Sequence, residues 1–258
     1  MSYQAISYTN DAGVAIITLN RAEVMNALNG QMRAEILEAV KRAEAEARVI
    51  VLTGAGRAFC SGQDLGDGAA AAGLDLERVL RDEYEPMLRA IYDCRLPVIA
   101  AVNGAAAGAG ANLALAADVV IASDSAVFLQ AFTRIGLMPD AGGTYWLPRQ
   151  VGFARAMGLA LFADKISARQ AVDWGMIWEA VPEVDFDHHW RARAAHLANG
   201  PTAAYGAVKR ALREGYANDL PTQLELEAEL QGSLGQSHDF REGVMAFLEK
   251  RPPQFEGR

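Results

Sequence analysis

The chain has 258 residues, with 24 Lys+Arg against 32 Asp+Glu for a formal charge of −8. That length holds one large domain or a domain with an appendage, and 51% hydrophobic with 22% charged residues supports a generous core, which excludes general disorder. The acidic balance argues against nucleic acid or an anionic membrane as the main partner, because both need a basic footprint.

The first twenty residues carry polar side chains and a turn at 10–13 where a secretory signal needs an unbroken apolar core, so none is expected. Residues 14–19 (VAIITL), 49–53 (VIVLT), 97–102 (PVIAAV) and 118–122 (DVVIA) are β-branched runs bounded by turn residues and read as strands. Between them, 31–47 reads as an amphipathic helix with apolar positions at 32, 36, 37 and 40, and 76–92 repeats the pattern less cleanly. Strands alternating with helices predict an α/β architecture with buried, largely parallel strands. The glycine- and alanine-rich stretch at 66–73 reads as a mobile loop. The longest apolar stretch, 100–121, is interrupted by Asn103, Asn112 and Asp118 and reads as strand, turn, helix and strand, not as a membrane span. After about residue 190 the strand signals stop. Helices are predicted at 202–214, 221–232 and 239–249, the last opening on an Asp239-x-x-Glu242 cap and aligning Phe240, Val244, Phe247 and Leu248 on a face that needs a partner. Two cysteines, Cys60 and Cys94, make neither a disulfide framework nor a zinc site, and a reducing cytoplasmic compartment is expected.

The 24 glycines are the sharper feature, because clusters of them bring the backbone itself close to something. GAGRAFCSGQD at 54–64 follows a strand, yet lacks the spacing of a dinucleotide fingerprint and the Gly-Lys-Ser/Thr of a phosphate loop. No G-x-S-x-G occurs and all four histidines fall late, at 188, 189, 196 and 238, so a Ser-His hydrolase finds no support. The second cluster, 103–115, runs from a strand through a glycine turn into an apolar helix and leaves main-chain N–H groups unpaired at a helix N-terminus. Each cluster alone is equally a packing device. Together, one N–H from each turn converging on a single oxygen is what an oxyanion hole requires. The third cluster surrounds Asp140 with proline, a glycine pair and apolar neighbours. That setting raises a carboxyl pKa and suits it to proton transfer, while a helix N-cap or turn aspartate accounts for the spacing equally.

These segments together resemble the crotonase superfamily, the enoyl-CoA hydratase/isomerase family: LNRAEVMNALN at 19–29, LTGAGRAFCSGQDL at 52–65, PVIAAVNGAAAGAGANLALAADVVIA at 97–122, GLMPDAGGTYWLPR at 136–149, ISARQAVDWGMI at 166–177 and REGVMAFLEKRPPQF at 241–255. The resemblance implies a spiral of repeated ββα units with a C-terminal helical trimerisation subdomain, divided here as 1–195 for an acyl-CoA-binding core and 196–258 for oligomerisation. It further implies a homo-oligomer, a trimer or a hexamer built as a dimer of trimers. The substrate is then an acyl-CoA thioester, and neither a metal nor a separate cofactor is called for.

Carried over by position, the family's oxyanion hole falls on the main-chain N–H groups of Gln63 and Ala109. Alanine at 109 loses little there unless the turn demands a positive φ. The two glutamates with which the family's hydratases activate water fall on Asn112 and Phe132, neither of which can act as a base. That leaves Asp140, where certain isomerases and aryl-CoA dehalogenases of the family carry their working carboxylate. One carboxylate suffices to move a proton between two carbons of an enolisable acyl group. FCSGQDL, AAGAGANLAL and GLMPDAGGTYWLPR are most similar to the isomerases of aerobic phenylacetate breakdown, which turn 1,2-epoxyphenylacetyl-CoA into oxepin-CoA, some of them also shifting a 3-enoyl double bond to the 2-position. A nucleophilic Asp140, giving a dehalogenase or thioester hydrolase, is the alternative, and a generic hydratase a further one.

Phe132, Met138, Tyr145 and Trp146 are then candidates for the acyl pocket, although aromatics around a glycine turn are as readily ordinary core. Main-chain CoA contacts are expected along Ala58, Ser61, Asp64 and Leu65, with Arg21 and Val24 nearby. Ala22 stands where the family often has proline. Arg57 and Lys250 are candidate phosphate partners, and Cys60 reads as a small buried residue. Net charge is in any case the wrong scale for excluding a small polyanion held locally.

Overall fold

The computed structural model describes residues 3–66 and 75–258. The stretch expected as a mobile loop, 66–73, lies outside the described residues except for Gly66. Strands β1 (Ile6–Asp11) and β2 (Val14–Leu19) form an antiparallel hairpin, its turn made by Ala12 and Gly13 at positive φ. Helix α1 (Gly30–Glu46), N-capped by the Asn29 side chain on the Met32 N–H, returns the chain to β3 (Val49–Gly54). From there a unit repeats. A long strand of one sheet, β3, β5 (Val98–Val102) or β7 (Val119–Ser123), leads directly into a short strand of a second sheet, β4 (Ala58–Cys60), β6 (Ala105–Ala107) or β8 (Val127–Leu129).

Helices close each unit. β4 is followed by α2 (Leu76–Val79), a π turn over Leu80–Tyr84 and α3 (Glu85–Asp93), so the helix expected over 76–92 is real but contains an inserted residue. β6 is followed by α4 (Ala109–Leu115), and β8 by a 3-10 turn, α5 (Gly143–Val151) and α6 (Phe153–Phe162). The chain then adds β9 (Ile166–Ser167), α7 (Ala168–Asp173), β10 (Glu179–Val181) and α8 (Glu183–Ala198). The large sheet has the order β1-β2-β3-β5-β7-β10, parallel except for the first pair; the small sheet has the order β4-β6-β8-β9.

Period two divides the large sheet between two cores. Ile50, Leu52, Val98 and Ala100 face the main core of α1, α3 and the small sheet, while Val49, Val51, Ile99 and Ala101 face Phe186, Trp190, Ala194 and Ala198 of α8. Those four α8 residues recur every fourth position, a single helical stripe. The subdomain boundary expected at 195/196 therefore falls inside a helix that stays on the sheet, and the chain leaves the sheet only after Ala198.

The tail consists of α9 (Thr202–Glu214), α10 (Leu220–Leu234) and α11 (His238–Glu249). Lys209 donates to the carbonyls of Cys94 and Leu96 at 2.6 and 2.5 Å and pairs with Asp118 at 2.8 Å, where Arg213 joins at 2.6 Å. Arg48 reaches from the core to Thr202 and the carbonyls of Gly200 and Phe255. The cap of α11 differs from expectation. Ser237 accepts the Phe240 N–H, while Asp239 is buried and spends its carboxylate on the N–H groups of Glu256 and Gly257, docking the C-terminus. Phe240, Val244, Phe247 and Leu248 are exposed in the single chain. Among the described residues no helix is long and apolar enough to cross a membrane.

Candidate active site

Loop 20–28 and loop 55–65 are stitched together by Asn26, a fully buried residue with left-handed φ that the sequence did not single out. Its carboxamide accepts the Arg21 N–H and donates to the carbonyls of Ala55 and Ala58. Leu28 then pairs with Gln63 as an isolated parallel bridge, its N–H on the Gly62 carbonyl at 2.8 Å and its carbonyl on the Asp64 N–H at 3.1 Å. In such a bridge the central residue's own N–H points away from the partner strand. Gln63 N–H consequently faces away from Leu28 and, among the described residues, has no hydrogen-bond acceptor.

The second donor comes from α4. Gly108, at φ 53°, makes the turn into the helix, so Ala109 occupies an ordinary helical position and its methyl costs nothing. Its N–H is one of the first-turn donors without an intrahelical acceptor and has no partner among the described residues. The two donors are neighbours: Gly62 has φ 97°, and a Cβ built on it would lie 3.4 Å from the Ala109 nitrogen and 2.8 Å from the Ala107 carbonyl oxygen. Only glycine allows this approach.

One helical turn beyond Ala109, Asn112 is fully buried. Its amide donates to the Asp140 main-chain carbonyl at 2.7 Å and its oxygen accepts from Gln130 at 2.8 Å. Asn112, which stands where a hydratase of the family carries a glutamate and was also a candidate substrate contact, instead fixes the Asp140 backbone to the first turn of α4. The helix-cap alternative for Asp140 does not hold, because the N-cap of α5 is Gly142 and its capping uses no side chain. Asp140 is half-buried, its Oδ1 has no hydrogen-bond partner among the described residues, and burial pushes its pKa up to about 6.

Asp140 lies on the wall of a cleft of about 750 Å³ between the α2–α3 segment and the 137–146 turn. Met138, Tyr145 and Trp146 line it together with Leu80, Tyr84 and Tyr92. The aromatic residues of the wall contact one another. Trp146 sits 5.2 Å from Tyr92 and 4.8 Å edge-on from Tyr145, and Arg149 and Arg213 stack on the outer faces of Tyr145 and Tyr92. Phe132 does not line this cleft; its ring lies under Gly108, where a Cβ would be 3.8 Å away, and so backs the turn that presents Ala109.

The expected CoA segment divides by burial. Val24 and Leu65 are exposed and do not line the cleft, Ala58 is buried in β4, and Ser61 is tied through its N–H to the Met25 carbonyl and through its hydroxyl to Val24. Arg21 and Asp64 are spent on one another at 2.7 Å, with Arg21 also donating to the Ala27 carbonyl. Arg57 is exposed and Lys250 ends α11 in the left-handed conformation; neither lines the cleft. Cys60 is buried and its thiol is pushed up to about 12 by that burial, the small inert residue expected.

The repeated strand-strand-helix unit winding between two sheets, with unpaired N–H groups on Gln63 and Ala109 and a half-buried carboxylate at Asp140, is the architecture of the crotonase type, and the chain belongs to the enoyl-CoA hydratase/isomerase family, whose model matches residues 9–258. A Rhodobacter capsulatus protein named "Probable enoyl-CoA hydratase" is 73% identical over the full length of both chains. The 1,2-epoxyphenylacetyl-CoA isomerase of Escherichia coli is 48% identical, with 96% of this chain and 97% of that protein aligned. Among solved structures, an enoyl-CoA hydratase from Bacillus anthracis superposes with a TM-score of 0.92 at 34% identity, covering 99% of this chain and all of the other.

Proposed function

We propose that the chain is an acyl-CoA isomerase that works through a thioester enolate. Gln63 and Ala109 N–H groups hold the carbonyl oxygen, and the carboxylate of Asp140 takes a proton from one carbon and returns it to another. A thioester α-proton is weakly acidic, each pK unit of mismatch costs ~1.4 kcal/mol, and one well-placed oxyanion donor offsets roughly 3–4 kcal/mol. The observation that carries the reading is the pairing of a half-buried carboxyl at Asp140, its Oδ1 without a hydrogen-bond partner among the described residues, with the absence of any carboxylate at positions 112 and 132. Asn112 is packed against Gly143 and bonded on both sides, so it has neither charge nor freedom to activate water. The reaction needs no metal or redox cofactor.

The favoured acyl groups are 1,2-epoxyphenylacetyl, rearranged to the oxepin, and 3-enoyl, shifted to 2-enoyl. The aromatic wall of Tyr84, Tyr92 and Trp146 and the likeness to the Escherichia coli isomerase support them. CoA is taken along the exposed surface of Val24 and Leu65, and the exposed apolar face of α11 supports a homo-oligomer. The name of the Rhodobacter capsulatus relative favours hydration instead. Product identity from epoxyphenylacetyl-, 3-enoyl-, 2-enoyl- and 4-halobenzoyl-CoA decides. Isomerised products that vanish in Asp140→Asn while thioester binding persists are expected. Substantial hydration of the 2-enoyl member, or full turnover by Asp140→Asn, refutes the proposal. A covalent adduct trapped on Asp140 establishes the nucleophilic alternative in its place.

A further inference from the structure

The Gln63 side chain makes contacts that catalysis by its main chain does not require. Its Oε1 accepts two hydrogen bonds, from the Tyr84 hydroxyl at 2.8 Å and from Arg33 Nη1 at 3.0 Å. Arg33 is buried on α1, an unusual place for a guanidinium unless it is fully engaged. It is so engaged: Nη1 also donates to the Leu28 carbonyl at 2.7 Å, Nη2 pairs with Glu83 at 2.6 Å, and the group lies 4.8 Å from the centre of the Tyr84 ring. Hydrogen bonding from Arg33 holds the Glu83 carboxyl below its usual range. Every tie runs to Gln63 itself or to a residue that touches it or adjoins one that does. Leu28 is the residue that brackets Gln63 through its main chain, and Glu83 and Tyr84 occupy the last two positions of the π turn, an insertion of a kind that accompanies function.

We propose that Arg33, Glu83 and Tyr84 are positioning residues that hold the Gln63 N–H on the substrate's carbonyl oxygen, and that Tyr84, which also forms the cleft wall, transmits occupancy of the acyl site to the oxyanion hole. This rests on the reading of Gln63 and Ala109 as that hole. A peptide unit fixed from its main chain on one side can still rotate about its flanking bonds. Anchoring the side chain as well removes that freedom before substrate arrives, and preorganisation of this kind is what gives a donor its effect in the transition state. An acyl group packed against the Tyr84 ring keeps the hydroxyl on Gln63. A thioester too short to reach the ring leaves it unsupported.

The test uses Tyr84→Phe, which keeps the ring and deletes only the hydroxyl, and Gln63→Ala, which keeps the main-chain donor and deletes the anchor. Each is expected to lower kcat ~10- to 100-fold, the scale of a displacement of under an ångström, with KM within about twofold of the parent. The second readout is the infrared stretch of phenylacetyl-CoA carrying ¹³C in its thioester carbonyl, bound to Asp140→Asn and to that variant combined with each of the others. A carbonyl lowered in frequency by Asp140→Asn and released towards its solution value in both combinations is the expected result, one that a merely structural role of Tyr84 would not produce. A carbonyl equally lowered in all three overturns the positioning proposal and leaves the hole intact. No lowering in Asp140→Asn itself overturns the assignment of the hole, and this proposal with it.

Discussion

Replacing Asp140 by asparagine removes a charge the folded protein holds at a cost. The main-chain anchors of the residue do not change: its carbonyl keeps the Asn112 amide and the Gly143 N–H at 2.7 and 2.8 Å, so the variant is expected to fold. Burial lifts the carboxyl from 3.8 to about 6, which at ~1.4 kcal/mol per pK unit bounds the disfavoured ionisation at roughly 3 kcal/mol. Partial solvent access reduces that to ~1–2 kcal/mol. Below about pH 4 both folded and unfolded chains carry the proton and the residue makes no pH-dependent difference. Between about 4 and 6 the unfolded chain ionises first, the folded chain binds more protons, and stability falls as pH rises. Above about 6 the cost stays constant. Urea midpoints for wild type and Asp140→Asn, measured from pH 4.5 to 8 at one protein concentration, should therefore diverge with rising pH and plateau near ~1–2 kcal/mol in the variant's favour. The amide contributes an offset of its own, but that offset carries no pH dependence. A difference that is flat across the range would show that Asp140 is not a desolvated carboxyl, and would remove the physical basis for its role as acid and base.

Gly62→Ala should reduce kcat at least ~100-fold, because a Cβ at φ 97° would lie 2.8 Å from the Ala107 oxygen and force the two N–H donors apart; steady-state kinetics near wild-type values would contradict the geometry. Asn112→Leu leaves Gln130 and the Asp140 carbonyl each short of a partner in a buried place and is expected to cost ~2–3 kcal/mol, read by urea unfolding; a neutral result would mean that water replaces the amide. Asp118→Asn strands Lys209 and Arg213, which both pair with it where the tail meets the core, at a cost of ~3 kcal/mol. Hydrogen exchange should show protection lost first along α9, and uniform loss across the chain would count against a local clamp.

Much of this architecture was legible before the structure. The β-branched runs became the long parallel strands, and the helix expected at 202–214 has those bounds. The short strands were not legible, because Ala105–Ala107 has no strand propensity and exists through its neighbours. At the site, the glycine clusters and the setting of Asp140 could be read locally, since each depends on adjacent residues. Asn112 was misjudged because its partners lie 18 and 28 positions away. Arg33 and Glu35 were overlooked although a signal existed: both fall on the buried stripe of α1, and a charge on an apolar stripe announces a bonded partner. Glu35 finds it in the N–H groups of Gln4, Ala5 and Ile6.

Cys60 lies directly beneath the turn that opens α4, its thiol on the Asn26 carbonyl at 3.1 Å and its sulfur so close to Gly110 that a Cβ there would come within 2.7 Å. No reagent reaches that sulfur while α4 is seated. In a Cys94→Ser background, the slow alkylation of Cys60 therefore becomes a clock that runs only when the first turn of α4 lifts away, and its rate measures how often the chain gives up the turn that carries one of the two proposed oxyanion donors.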